Sequence, residues 1–334
     1  MRPLAIALVA LAAWTAAAQA QQPPTHITFV TDWKAQAEHG GFYEALAQGL
    51  YRKSGLDVHI LEGGPSVNVP QLLAAGAADM GIGSNGFIPL NMLREGARVK
   101  AVMAVFQKDP QVLITHPRAD VKSLADMKGK PVMIADASTV AFWPWLKARY
   151  GFSDTQIRKY TFNLAPFLVD PAAIQEGYLT SEPYTIQAEG HITPQVFLLA
   201  DNGYPGYANM VLVPQKLIVE NPAAVQAFVN ATEQGWWNYL FGDPAPANAM
   251  IKKDNPEMAD GLIAQAISKM KSYGIVMSGD GLTSGLGAMT DARWKTFFDT
   301  MSSEGLYASS LPYRGAYDLR FVMNGRHVGI AQGK

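Results

Sequence analysis

The 334-residue chain contains no cysteine. This excludes disulfides, zinc–thiolate centres, thiol nucleophiles and a lipid-anchored N-terminal cysteine in one stroke. Charge is sparse as well: 27 basic and 28 acidic side chains make up 16% of the residues and leave a net charge of −1. Such a balance gives no electrostatic reason to expect nucleic acid or an anionic membrane surface as partner. There is no HExxH pair for zinc and no GKS or GKT to close a phosphate loop. Past the first twenty residues no apolar run is long enough to cross a bilayer.

What is present begins with MRPLAIALVALAAWTAAAQAQQ. A basic residue, an apolar run and small residues at Ala18 and Ala20 around Gln19 describe a secretory signal, with cleavage expected after Ala20. Export would place the mature chain in the periplasm of a Gram-negative cell. Removing Arg2 leaves 26 basic and 28 acidic groups, a charge of −2. About 310 mature residues exceed one comfortable core, so two lobes are expected.

HITFVT (26–31) reads as a strand. GGFYEALAQGLYRKSG then sets Phe42, Ala45, Leu46, Gly49 and Leu50 on one helical face, with Gly55 as its stop. LDVHIL (56–61), ADMGIGS (78–84) and VKAVMAVFQ (99–107) continue as strands around the short helix VNVPQLLAAG. Alternation of this kind predicts a parallel sheet covered by helices. It restarts at QVLITH (111–116), PVMIAD (131–136) and the helix STVAFWPWLKARYG (138–151), where Pro144 implies either a later start or a kink. ANMVLVP (208–214) leads away, and mostly helical sequence follows from Asn221. The fold expected is α/β with two lobes, residues 21–110 and 210–334 forming one and 111–209 an inserted second. Crossovers near 107–112 and 207–213 join them. A ligand cleft lies between the lobes, at the carboxyl ends of the strands.

Asp32, Glu38 and His39 have the chemistry of an active site or metal centre. Yet adjacent side chains diverge, no second histidine is near, and GIGSNG around Ser84 lacks partners for a triad. No catalytic residue and no metal ligand is assigned. The Gly-rich turns after predicted strands suit backbone N–H groups facing a ligand at helix N-termini. Trp33 and Trp143, each near the start of a predicted cleft-facing helix, are candidates to stack on a flat ligand. The predicted loops carry Asp32, Glu38 and Glu182 with Lys34 the only close cation, a bias toward a ligand that offers N–H donors or positive charge.

DW, five residues, HGGFYEALAQGLY and GLDV, with ADMGIG, EGGPSVN, SLADMKGKPV, GYLTSEPY and VENPAAVQAFVNAT, resemble the NMT1/THI5-like branch of periplasmic solute-binding proteins over most of the mature chain. The resemblance implies a type II periplasmic-binding-protein fold serving an ABC importer, with a permease in the inner membrane as partner, no cofactor and a monomeric receptor. Better-known members bind thiamin-precursor pyrimidines; relatives take riboflavin, sulfonates, taurine or nitrate. Asp32 and Trp33 match the family's opening pair, His39 its histidine before the first helix, and Glu182 the acid that can pair with an aminopyrimidine edge. The sequence DWKAQ departs from the D-W-x-P-N of pyrimidine binders. The enzymatic branch, pyrimidine synthases consuming pyridoxal phosphate with iron, resembles the chain in fold but carries a cysteine cluster absent here.

The expected function is therefore a receptor that closes around a small polar heterocycle, with an organic anion as the alternative ligand and a synthase as the alternative class. Its expected ligand-binding residues are Asp32, Trp33, His39, Ser84, Asn85, Ser138, Thr139, Trp143, Glu182 and Tyr184.

Overall fold

Runs rich in β-branched and aliphatic residues become ten strands in the computed structural model, which describes residues 23–64 and 67–322. The signal-peptide reading of residues 1–20 lies outside the described residues. The strands are β1 (Thr25–Val30), β2 (Leu56–Leu61), β3 (Met80–Asn85), β4 (Val99–Phe106), β5 (Gln111–Thr115), β6 (Val132–Ile134), β7 (Ile157–Lys159), β8 (Ile174–Tyr178), β9 (Gln195–Leu198) and β10 (Ala208–Pro214). They form two five-stranded sheets, ordered β2-β1-β3-β10-β4 and β7-β6-β8-β5-β9. Each sheet is the centre of one lobe.

The sheets are mixed rather than parallel. β10 runs antiparallel to β3 and β4, and β5 runs antiparallel to β8 and β9. These two are the first strands laid down after each passage between the lobes. A chain arriving from the cleft side starts its strand there, so it points opposite to strands that end there. Alternation of elements in the sequence does not carry this information.

Burial explains the sheet-rich stretches. β4 is buried at six consecutive positions from Ala101 to Phe106, as expected of a strand covered on both faces. Two glycines let helices approach without side chains between them. A Cβ on Gly41 would enter the Trp236 ring, and one on Gly235 would meet the Gly41 carbonyl and Ala45. The helix Gly40–Ala47 thereby packs against Pro222–Phe241, a 20-residue helix contributed by the C-terminal part of the chain.

Two predicted helices change in detail. The single helix expected after Gly40 is split, because Gly49 adopts φ 64 and separates Gly40–Ala47 from Leu50–Lys53. The helix expected from Ser138 starts at Phe142, after a 3₁₀ turn over Asp136–Val140. Pro144 thus falls in the first turn, where its missing N–H costs nothing.

Candidate functional site

The loop after β1 and the turns after β7 and β8 meet between the lobes. From the first lobe, Asp32 accepts the Ser84 hydroxyl at 2.6 Å on Oδ2, while His39 Nε2 lies 3.1 Å from Oδ1. A carboxylate can only accept, so the imidazole carries its proton on Nε2. Ser84 stands near the carboxyl end of β3 and His39 is buried ahead of the Gly40–Ala47 helix, so Asp32 is held from two sides. Glu38 turns away from this group. It is 3% exposed and accepts a hydrogen bond from the Thr180 hydroxyl, which belongs to the second lobe. Burial raises its pKa above the ordinary carboxylate value, opposed chiefly by the Thr180 bond. Asp32, Glu38 and His39 are therefore a split arrangement, and not the converging set a metal or an acid–base pair needs.

The second lobe supplies more acid. Glu182 accepts the Tyr178 N–H at 2.7 Å, and burial pushes its pKa up to about 7. Glu176 is 5% exposed, and burial pushes it up to about 8. Tyr178 is kept protonated by burial and by the nearby charges of Asp109, Asp32 and Glu38, which leaves its phenol a hydrogen-bond donor at physiological pH. Among the described residues, the hydrogen bonds and ion pairs of Asp32, Glu38, Glu176 and Glu182 include no lysine or arginine. Lys34 pairs instead with Glu257 at 2.9 Å on the surface.

The aromatic pair differs from the expected one. Trp143 is 1% exposed, donates its indole N–H to Asp154 at 2.9 Å and packs edge-on against Phe152. It belongs to the core of the second lobe. The ring that meets Trp33 across the cleft is Phe162, centroid to centroid 4.2 Å and tilted 52°, with Tyr160 behind it at 5.1 Å. Phe162 is one of three non-glycine residues with positive φ among the described residues (φ 61) and is 42% exposed. The only signal in the sequence was the run KYTFN, which reads equally well as the end of a strand.

The remaining expected residues divide. Asn85 caps a helix, its side chain accepting the Phe87 N–H at 3.1 Å, and Thr139 bonds the Asp136 carbonyl at 2.6 Å within its own 3₁₀ turn. Ser138 lies beside Glu176 and lowers its pKa. Tyr184, on the helix Glu182–Gly190, sets its hydroxyl against Gly261 of the helix Asp260–Ser272, in a part of the chain that follows β10. Sequence reading missed Phe162, Thr180, Tyr178 and Glu176.

Two mixed five-stranded sheets, each with its helices, build the periplasmic-binding-protein fold. The periplasmic aliphatic sulphonate binding protein SsuA of Escherichia coli shares it, with a TM-score of 0.65 at 15% identity over 88% of this chain and 92% of that one. The chain belongs to the NMT1/THI5-like family, whose profile matches residues 36–247. It is similar to the riboflavin-binding protein RibY of Chloroflexus aurantiacus, 25% identical over 327 residues, covering 95% of this chain and 92% of that protein. A shorter similarity, 24% over 226 residues, joins it to a protein of Haemophilus influenzae named for thiamine biosynthesis, covering 66% and 71% of the two chains.

Proposed function

We propose that this protein is the periplasmic, monomeric receptor of an ABC importer, and that it closes its lobes around a small, flat nitrogen heterocycle before docking to its permease. The observation that carries the ligand class is the set of carboxyl groups in the cleft and what they pair with. Four acidic side chains from both lobes come together there, and among the described residues none of them is paired with lysine or arginine. Carboxyl groups taken out of water need N–H donors, which an aminopyrimidine or an isoalloxazine edge provides and a sulfonate does not. Trp33 and Phe162, already in contact with each other across the cleft, would close over one edge of the ring. Contacts to both lobes are what allow a ligand to favour the closed form, since a ligand held equally in both states shifts nothing. The similarity to a riboflavin-binding protein and to a thiamine-related one agrees with a ring-bearing ligand.

A thermal-shift panel on refolded, ligand-stripped protein tests this reading. Pyrimidines or flavins are expected to raise the melting temperature, and sulfonates, taurine and nitrate are expected to leave it unchanged. A response to anions alone would refute the heterocycle reading. Turnover of pyridoxal phosphate with iron would refute the receptor reading in favour of a synthase. Glu182→Gln is expected to weaken an amine-bearing ligand about tenfold or more, the loss of one charge-assisted hydrogen bond.

A further inference from the structure

One buried acid in the second lobe is not accounted for by the fold. Glu176 stands near the end of β8, and its Oε1 accepts the Ala135 N–H at 3.0 Å, immediately past the end of β6. The carboxyl group therefore lies at the carboxyl ends of two parallel neighbours. Those ends face the first lobe, because Thr180, four residues on, bonds Glu38, and Phe162, three residues past β7, packs on Trp33. Oε2 of Glu176 is buried and meets no donor at full hydrogen-bonding geometry among the described residues, although the Ser138 hydroxyl stands close enough to the carboxyl group to lower its pKa. A buried oxygen without a partner is costly, and a purely structural position gives no reason to keep it.

The surroundings decide its protonation. Burial is the largest influence, Ser138 and the Ala135 N–H oppose it, and the charge of Glu182 adds to it, giving a pKa of about 8. Tyr160, from the turn after β7, is a neighbouring phenol that burial and the charges of Glu182 and Glu176 keep protonated. Lys159, the last residue of β7, pairs in solvent with Asp136 at 3.0 Å. Glu176 is thus mainly the neutral acid at neutral pH, with an O–H to give.

We propose that Glu176 is a specificity-determining residue of the interlobe site, donating its Oε2 proton to a ring nitrogen or ring carbonyl beside the N–H that Glu182 accepts. This rests on the heterocycle reading above and narrows it. The ligand edge must present an acceptor next to a donor, as 4-aminopyrimidines and the isoalloxazine imide edge do, and rings offering donors only are disfavoured. Two acids of similar pKa then have opposite requirements, Glu176 protonated and Glu182 ionised.

Isothermal titration of the full mature chain with riboflavin and with a 4-aminopyrimidine between pH 6 and 9 tests the assignment. Affinity is expected to pass through a maximum near pH 7 to 8, with an alkaline limb on which Kd rises up to tenfold per pH unit. Glu176→Gln, which keeps a donor and an acceptor but cannot ionise, should bind within about threefold of the natural protein at pH 7 and lose the alkaline limb. Glu176→Ala should lose tenfold or more at every pH. An unchanged alkaline limb in Glu176→Gln, or undiminished binding by Glu176→Ala, overturns the role of Glu176 while leaving the heterocycle reading intact. A natural chain that takes up neither ring overturns both.

Discussion

Phe162 occupies a backbone conformation that an aromatic residue rarely adopts, and it does so at the one point where its ring reaches the other lobe. Replacing it separates the two effects. Both Phe162→Ala and Phe162→Gly remove the ring and should weaken a ring ligand about three- to tenfold, the range expected for one aromatic contact. They should differ in stability, because glycine accepts φ 61 freely and alanine does not. Phe162→Gly is expected to be about 1 kcal/mol more stable than Phe162→Ala in urea unfolding. Equal stabilities would mean the strain is relieved elsewhere. At the same scale, Asp32 and Trp33 stood out in the sequence as site candidates because they follow a β-branched strand just before a Gly-rich turn. Trp143 was not legible. FWPWLKARY places aromatic or long apolar groups around most of its circumference, so no periodicity tells the buried face from the cleft face.

Among the elements, the crossover from β4 to β5 carries a titratable group of its own. Asp109 is buried, accepts the Gln111 N–H at 2.9 Å, and is pushed by that burial up to about 7. Since its folded pKa lies above its ordinary value, the stabilising contribution is complete below about pH 4 and is lost as pH rises through 7. Asp109→Asn keeps the acceptor for Gln111 and cannot ionise. It should remove about 2–4 kcal/mol of the decline in unfolding free energy between pH 4 and 7.5, a range set by the size of the shift. Chemical denaturation across that window measures it, and a variant that retains the full decline would place the titration elsewhere. The second crossover is braced differently: Asn209, at φ 46, donates its side-chain amide to the Glu38 carbonyl at 2.6 Å. The sequence reading placed extended links near 107–112 and 207–213; the second of these stretches is β10 itself, a strand of the first sheet. The reversal of β5 and β10 was not legible there, because strand direction depends on where the chain re-enters a sheet and not on the residues within the strand.

For the whole molecule, the contacts that join the lobes include Thr180 with Glu38, Phe162 with Trp33, and Tyr184 with Gly261. A hydrogen bond to an acid in such a place is worth about 1.5–3 kcal/mol. Thr180→Val keeps the volume and removes the hydroxyl, leaving Glu38 without that donor. The closed form should lose about tenfold or more in population relative to the open one, seen as a larger radius of gyration by X-ray scattering and faster ligand release. No change in either would show that the Thr180 contact does not govern closure.

By itself the sequence determined the order of most strands and helices, the α/β class and the family. Those properties follow from local periodicity, turn chemistry and composition, which act within a few residues. Only the tertiary structure decided that Glu38 bonds Thr180, 142 residues away, that Phe162 rather than Trp143 faces Trp33, and that Glu176 is buried with an oxygen to spare. Each of these depends on which residues the two sheets bring to their facing edges. That is set by topology and packing across the cleft, and no local pattern in the chain encodes it.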